Sequence, residues 1–110
     1  MSGEDTQVNV ILVTAPDAEV GARLARELVR ERLAACVNLV DPIRSIYRWE
    51  GEIHDDREVL LVIKTSRARR EALTARVCEL HPYDLPEVLA LPAVGGSRAY
   101  LDWVCAESTG

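Results

Sequence analysis

Residues 34–65 constrain the fold more than any other stretch. They read as two extended arms, AACVNLVDPIRSIYRWE and GEIHDDREVLLVIKT, joined at Trp49-Glu50-Gly51-Glu52. Each arm runs to about fifteen residues, where a strand usually holds about five or six. Unbroken, such an arm reaches about 50 Å at a strand's rise per residue, which exceeds the width of a domain of 110 residues. Part of the ribbon must project beyond its own core. A projecting two-stranded ribbon is marginal alone in water, so its partners are expected on another copy of the chain.

The arms also divide by composition. Val37–Val40 and Val59–Ile63 are apolar and are expected in the core, whereas 43–58 is more polar and is the projecting half. Pro42 interrupts the first arm and implies a bulge, a kink or an edge position. Beyond it Ile43, Ser45, Tyr47 and Trp49 alternate onto one face and Arg44, Ile46 and Arg48 onto the other. Tyr47 and Trp49 are the expected anchors on a neighbour.

The rest of the chain supplies the core. Val8–Thr14 is a short apolar run that suits a central strand. Asp17 can cap a helix in which Val20, Leu24 and Leu28 recur every four residues, to about Arg32. Its Arg23, Arg26, Glu27, Arg30 and Glu31 form a solvated, charge-mixed face. Thr65 or Ser66 can cap a second helix marked by Leu73, Val77 and Leu80 and stopped by Pro82. A loop, HPYDLP, leads to a strand over 87–91, and Ser97 can open a last helix. The order strand-helix-strand-strand-helix-strand is the split βαβ pattern of an α+β, ferredoxin-like βαββαβ sandwich with a C-terminal helix. One domain is expected over 8–107, after a disordered lead-in at 1–7 and before a frayed tail at 108–110.

Composition limits the function classes. With hydrophobic residues at 48% and no Phe, an aliphatic core is expected. The net charge of -5 argues against nucleic acid and anionic membranes, which reward a basic face. Cys36, Cys78 and Cys105 are odd in number and form no CxxC pair, which fits a reducing cytoplasm. No polar-free run approaches the length of a membrane helix, and the opening MSGEDTQ has no apolar signal core. GxSxG, P-loop and dinucleotide fingerprints are absent, so no catalytic residues and no organic cofactor are expected.

His81 and Glu87 are the first candidates for chemistry. They flank Pro82 and Pro86 in a rigid loop, and imidazole with carboxylate suits Cu(II) or another divalent metal. Two donors do not close a site, so a third would come from a neighbour or from solvent. The alternative is structural: His81 bonds a backbone carbonyl beyond the helix end and Glu87 forms a surface ion pair. Cys36 is a conceivable Cu(I) ligand but is more readily a small buried hydrophobe. Cys78 and Cys105 take the same structural reading. His54 beside Asp55 and Asp56 reads as a polar patch near the turn.

Several motifs together resemble the CutA divalent-cation tolerance family: AACVN at 34–38, SIYRWEGEI at 45–53, VIKT at 62–65, HPYDLPEVL at 81–89 and YLDWV at 100–104. Order and spacing agree over nearly the whole chain. The resemblance implies a tight homotrimer, built much as the PII signal-transduction trimers are, with long hairpins pairing across subunits. It implies a role in tolerance of copper and other divalent ions, with no reaction attached. Some members carry a Cys just before TAPD in the first strand, where this chain has Val13. Lys64, Glu58, Tyr83 and Trp103 fall in the matching motifs. With Cys36, Tyr47, Trp49 and Glu87 they are expected to line a cleft between subunits, either for a small or anionic ligand held by Lys64 or as hydrogen bonds that fix the trimer. Two functions stay open: a trimeric metal-tolerance protein, and a non-catalytic trimeric small-ligand sensor or protein scaffold.

Overall fold

The two arms are continuous strands in the computed structural model, which describes residues 6–110. They are β2 (Cys36–Trp49) and β3 (Glu52–Ser66). Ahead of them come β1 (Val8–Ala15) and α1 (Ala18–Arg30); after them come α2 (Arg70–Leu80), β4 (Leu89–Pro92) and α3 (Arg98–Glu107). The strands form one antiparallel sheet in the order β2-β3-β1-β4. This is the ferredoxin-like α+β arrangement that the order of elements predicts. The longest dimension is 43 Å.

The hairpin turn is set by two residues. Glu50 and Gly51 have φ of 50° and 81°, the paired positive angles of the tight turn whose twist matches antiparallel strands. The register between β2 and β3 shifts between Val40 and Ile43, at Pro42. A proline has no N–H for the ladder, so the irregularity falls there.

Register assigns the two faces of the sheet, because directly opposed residues share a face. Ile11 opposes Ile63 and Val13 opposes Leu61. These four are fully buried beneath α1 and α2, with Leu24, Leu28, Leu73 and Val77 from the helices. Gly21 lets α1 approach closely, since a Cβ there would stand 3.3 Å from Leu39 and 3.4 Å from Leu61. The helices brace each other through Arg76, whose guanidinium bonds Glu31 at 3.0 and 2.9 Å.

The opposite face carries Val10, Leu12, Val62, Leu60, Val40, Leu89 and Leu91 by the same register. It is apolar and only partly covered. Leu89 is 54% exposed and Val40 46%. Val37–Val40, expected in the core, is therefore half-buried to exposed. The physical reason is position: β2 is the edge strand, so among the described residues one side of it meets no further strand. The cysteine expectation also changes, because Cys36 and Cys105 are half-buried and Cys78 is exposed.

Helix ends follow chemistry more than composition. The Asp17 side chain accepts from Val20 N–H at 2.9 Å, as its position predicts. At the other end α1 stops at Arg30, earlier than expected. Arg32 takes φ of 59°, Leu33 N–H bonds Leu28 C=O, and Arg32 N–H bonds Val29 C=O. This is the pair of bonds that closes a helix around a left-handed residue. Ser66 does not cap α2 through its side chain; a 3-10 turn at Arg67–Arg69 intervenes.

Ser66 is used elsewhere. Its N–H donates to Ser108 Oγ at 2.9 Å, its hydroxyl donates to Ser108 C=O at 2.7 Å, and Ser108 is fully buried. The tail expected to fray is thus pinned at its first residue. Ser108→Ala is expected to cost about 1–3 kcal/mol, because it leaves the buried Ser66 N–H without an acceptor. Urea unfolding at fixed protein concentration measures it. The lead-in expected over 1–7 lies outside the described residues up to residue 5. Thr6 donates to Ala93 C=O and Gln7 C=O accepts from Arg67 N–H.

Candidate pocket at the base of the hairpin

The polar half of the ribbon lines a pocket along its length, with Glu58 at its base and Tyr47 and Trp49 toward the turn. Beyond the register shift, Ile43, Ser45, Tyr47 and Trp49 lie opposite Glu58, Asp56, His54 and Glu52. All point to the face that α1 and α2 leave open. The 81–88 segment returns from α2 to the same end of the sheet. Together they enclose a pocket of about 710 Å³ whose lining includes Thr14, Tyr47, Trp49, Glu58, Tyr83 and Glu87. That volume lies within the range of about 300–1,000 Å³ common for ligand sites.

His81 anchors the segment. It is 7% exposed. Its Nε2 bonds Thr14 C=O at 2.7 Å, and its Nδ1 accepts from Tyr83 N–H at 3.1 Å. A carbonyl only accepts, so Nε2 carries the proton and Nδ1 the lone pair, which the backbone N–H already occupies. Neither nitrogen is left for a metal. In this arrangement His81 takes the backbone-bonded alternative. Among the described residues no group of three His, Cys, Asp or Glu side chains can hold a metal ion.

Glu58 and Tyr83 form the pocket's polar wall. The Tyr83 hydroxyl donates to Glu58 Oε2 at 2.8 Å, and Glu58 is 8% exposed. Partial burial, then the Glu58 bond, push the Tyr83 phenol above its ordinary 10.0, so it stays a donor at neutral pH. Tyr47 is also raised, chiefly by its hydrogen bond to Asp56. Its ring stacks on His54 at 5.2 Å. With Asp55 held by Arg44 at 2.8 and 2.6 Å, the polar patch at the turn is internally paired.

Partial burial and then the Glu58 charge push the Glu87 carboxyl above its ordinary 4.5. A folded value above the unfolded one means that the folded chain holds the proton more tightly. That contribution to stability is complete below the unfolded value and is lost as pH rises through the folded one. Glu87→Gln removes the dependence. The variant should therefore melt higher than the parent at about pH 7, with the two converging at about pH 3, where Glu87 is largely protonated in both states. Thermal melts at the two pH values test this.

The other expected cleft residues lie at the far end of the open face. Lys64 opposes Cys36. Its ammonium bonds Asn38 Oδ1 and approaches Val62 C=O at 3.4 Å. Trp103 sits on α3, its ring 5.7 Å from that of Tyr100. Tyr100 is raised by burial and then by Cys36. Along β3, Lys64 stands about 20 Å from Glu58 at a strand's rise per residue. Within one chain the expected cleft residues lie in two places, and this chain's Lys64 is not among those lining the pocket. Thr14, Ser45, Asp84 and Leu85 line the pocket without having been singled out. Ser45 was legible from its alternation with Tyr47; Thr14 enters only through strand pairing.

A ferredoxin-like subunit with a long hairpin, an open apolar sheet face and a pocket at the hairpin's base is the class of protein this geometry defines. The family described as CutA1 divalent ion tolerance protein matches residues 9–107. The divalent-cation tolerance protein CutA of Thermus thermophilus is 52% identical over 101 residues, 92% of this chain and 97% of that one. The chloroplastic CutA protein of Arabidopsis thaliana is 52% identical over 95 residues, 86% of this chain. The chain spans 52% of that plant protein's length and 54% of the human CutA protein's. The crystal structure of CutA1 from Oryza sativa superposes with a TM-score of 0.91 at 45% identity, covering 98% of each chain. The chain belongs to the CutA1 divalent ion tolerance protein family.

Proposed function

We propose that the protein is a PII-like homotrimer that acts in tolerance of divalent metal ions, copper among them, and catalyses no reaction. The observation that carries the assembly is the open sheet face. Apolar residues from all four strands lie on it beside the unpaired edge of β2. Contiguous apolar surface of this kind marks an interaction site, and a free strand edge is a template for another chain.

Metal binding in this reading is weak and lies near subunit boundaries. With His81 occupied, the donors at the pocket are the Glu58, Asp84 and Glu87 carboxylates, and a neighbouring subunit would complete the set. Three free thiols suit a reducing cytoplasm. Calorimetry with Cu(II) tests the metal reading. The expected result is weak binding that Glu87→Gln reduces; unchanged affinity in that variant would contradict it. The pocket itself favours a second reading, a non-catalytic trimeric small-ligand sensor or scaffold.

A further inference from the structure

The pocket at the base of the hairpin has a chemistry of its own, and it differs from that of a metal site. We infer that it binds an organic ammonium ion, with Trp49, Tyr47 and Tyr83 supplying aromatic surface and Glu58, Glu87 and Asp84 the compensating charge. This rests on the sensor reading and gives it a ligand class.

Three observations carry the inference. First, the lining joins three aromatic residues to three carboxylates within about 710 Å³. Aromatic faces attract a cation whose charge is spread over carbon-bound substituents, and quaternary ammonium ions are held in this way. Second, Glu58 is more than nine-tenths buried yet only one of its oxygens is used, by Tyr83. The other makes no hydrogen bond to the described residues and is not sealed from solvent. A buried carboxylate with no cation paired to it favours a positive charge beside it. Third, the lining cation Arg44 is already neutralised by its two bonds to Asp55. The upward shift of Glu87 by burial and the Glu58 charge is consistent with a local excess of negative charge.

The same features disfavour other ligands. An anion would face three carboxylates, and the chain's own Lys64 is not among the lining residues. A bare metal ion needs a denser donor set than the described residues bring together, and gains nothing from apolar walls such as Leu85 and Ile46.

The test uses choline and its neutral isostere 3,3-dimethyl-1-butanol, with EDTA present so that bound metal plays no part. Trp103→Phe leaves Trp49 as the sole tryptophan, and its fluorescence reports occupancy. Choline is expected to change the Trp49 signal saturably, and the isostere to bind at least about tenfold more weakly, a difference of about 1.4 kcal/mol. Glu58→Gln keeps an acceptor for Tyr83 and is expected to weaken choline binding by a similar factor. Equal binding of both probes would overturn the ammonium assignment while leaving a small-molecule pocket. Binding of neither would overturn the sensor reading as well. Either failure leaves the metal-tolerance reading to its own calorimetry.

Discussion

Leu89→Glu is expected to leave the chain folded and to abolish the proposed trimer. Leu89 lies on the edge strand β4, opposite Leu12 on the open apolar face, and is 54% exposed in the single chain. In the isolated subunit the new carboxylate has room to reach water, so the fold should lose little. In an assembly that covers this face it would be buried without a partner, at a cost of several kcal/mol per subunit, repeated three times in a symmetric trimer. Far-UV circular dichroism should match the parent while native mass spectrometry reports single chains. A variant that stays trimeric would place the interface elsewhere.

His81→Ala has the second large effect, and it separates structure from metal binding. The substitution removes the acceptor for Tyr83 N–H and the donor for Thr14 C=O, both at the base of the hairpin. It also opens a hole at a buried position. Unsatisfied buried groups cost about 1–3 kcal/mol each, so a loss of about 2–4 kcal/mol is expected by denaturant unfolding. Cu(II) affinity of the folded variant should change little, because neither ring nitrogen is free. A drop in affinity of tenfold or more with unchanged stability would restore His81 as a ligand.

The account of His81 also shows what a sequence can carry. An imidazole between Leu80 and Pro82 is compatible with a ligand and with a backbone brace. The choice depends on Thr14, brought close only when the segment after α2 folds back to the end of β1. The length of the arms and their turn were legible, because alternation and Gly51 are local signals. The edge position of Val37–Val40 was not. Its residues are as apolar as those of β3, and only the strand order β2-β3-β1-β4 leaves them without a neighbour. The end of α1 escaped for a different reason. Arg32 occupies a left-handed position where glycine is the usual marker. Its side chain is held by Ala106 C=O at 2.7 Å and Thr109 C=O at 3.3 Å, which ties the turn to the end of α3.

The pocket was half legible. Tyr47, Trp49, Glu58, Tyr83 and Glu87 could be gathered from the alternation of the arms and from the resemblance. Lys64, Cys36 and Trp103 were assigned to the same cleft because motif membership carries no distance. Strand register supplies that distance: Lys64 pairs with Cys36 near one end of β3, and Ile43 pairs with Glu58 near its middle.

The central claim is that the open sheet face is an interface between copies of this chain. Native mass spectrometry of the unmodified protein at low micromolar concentration tests it most directly. The account predicts a single species at three times the chain mass of 12.2 kDa. A spectrum dominated by the 12.2 kDa chain at that concentration would contradict it.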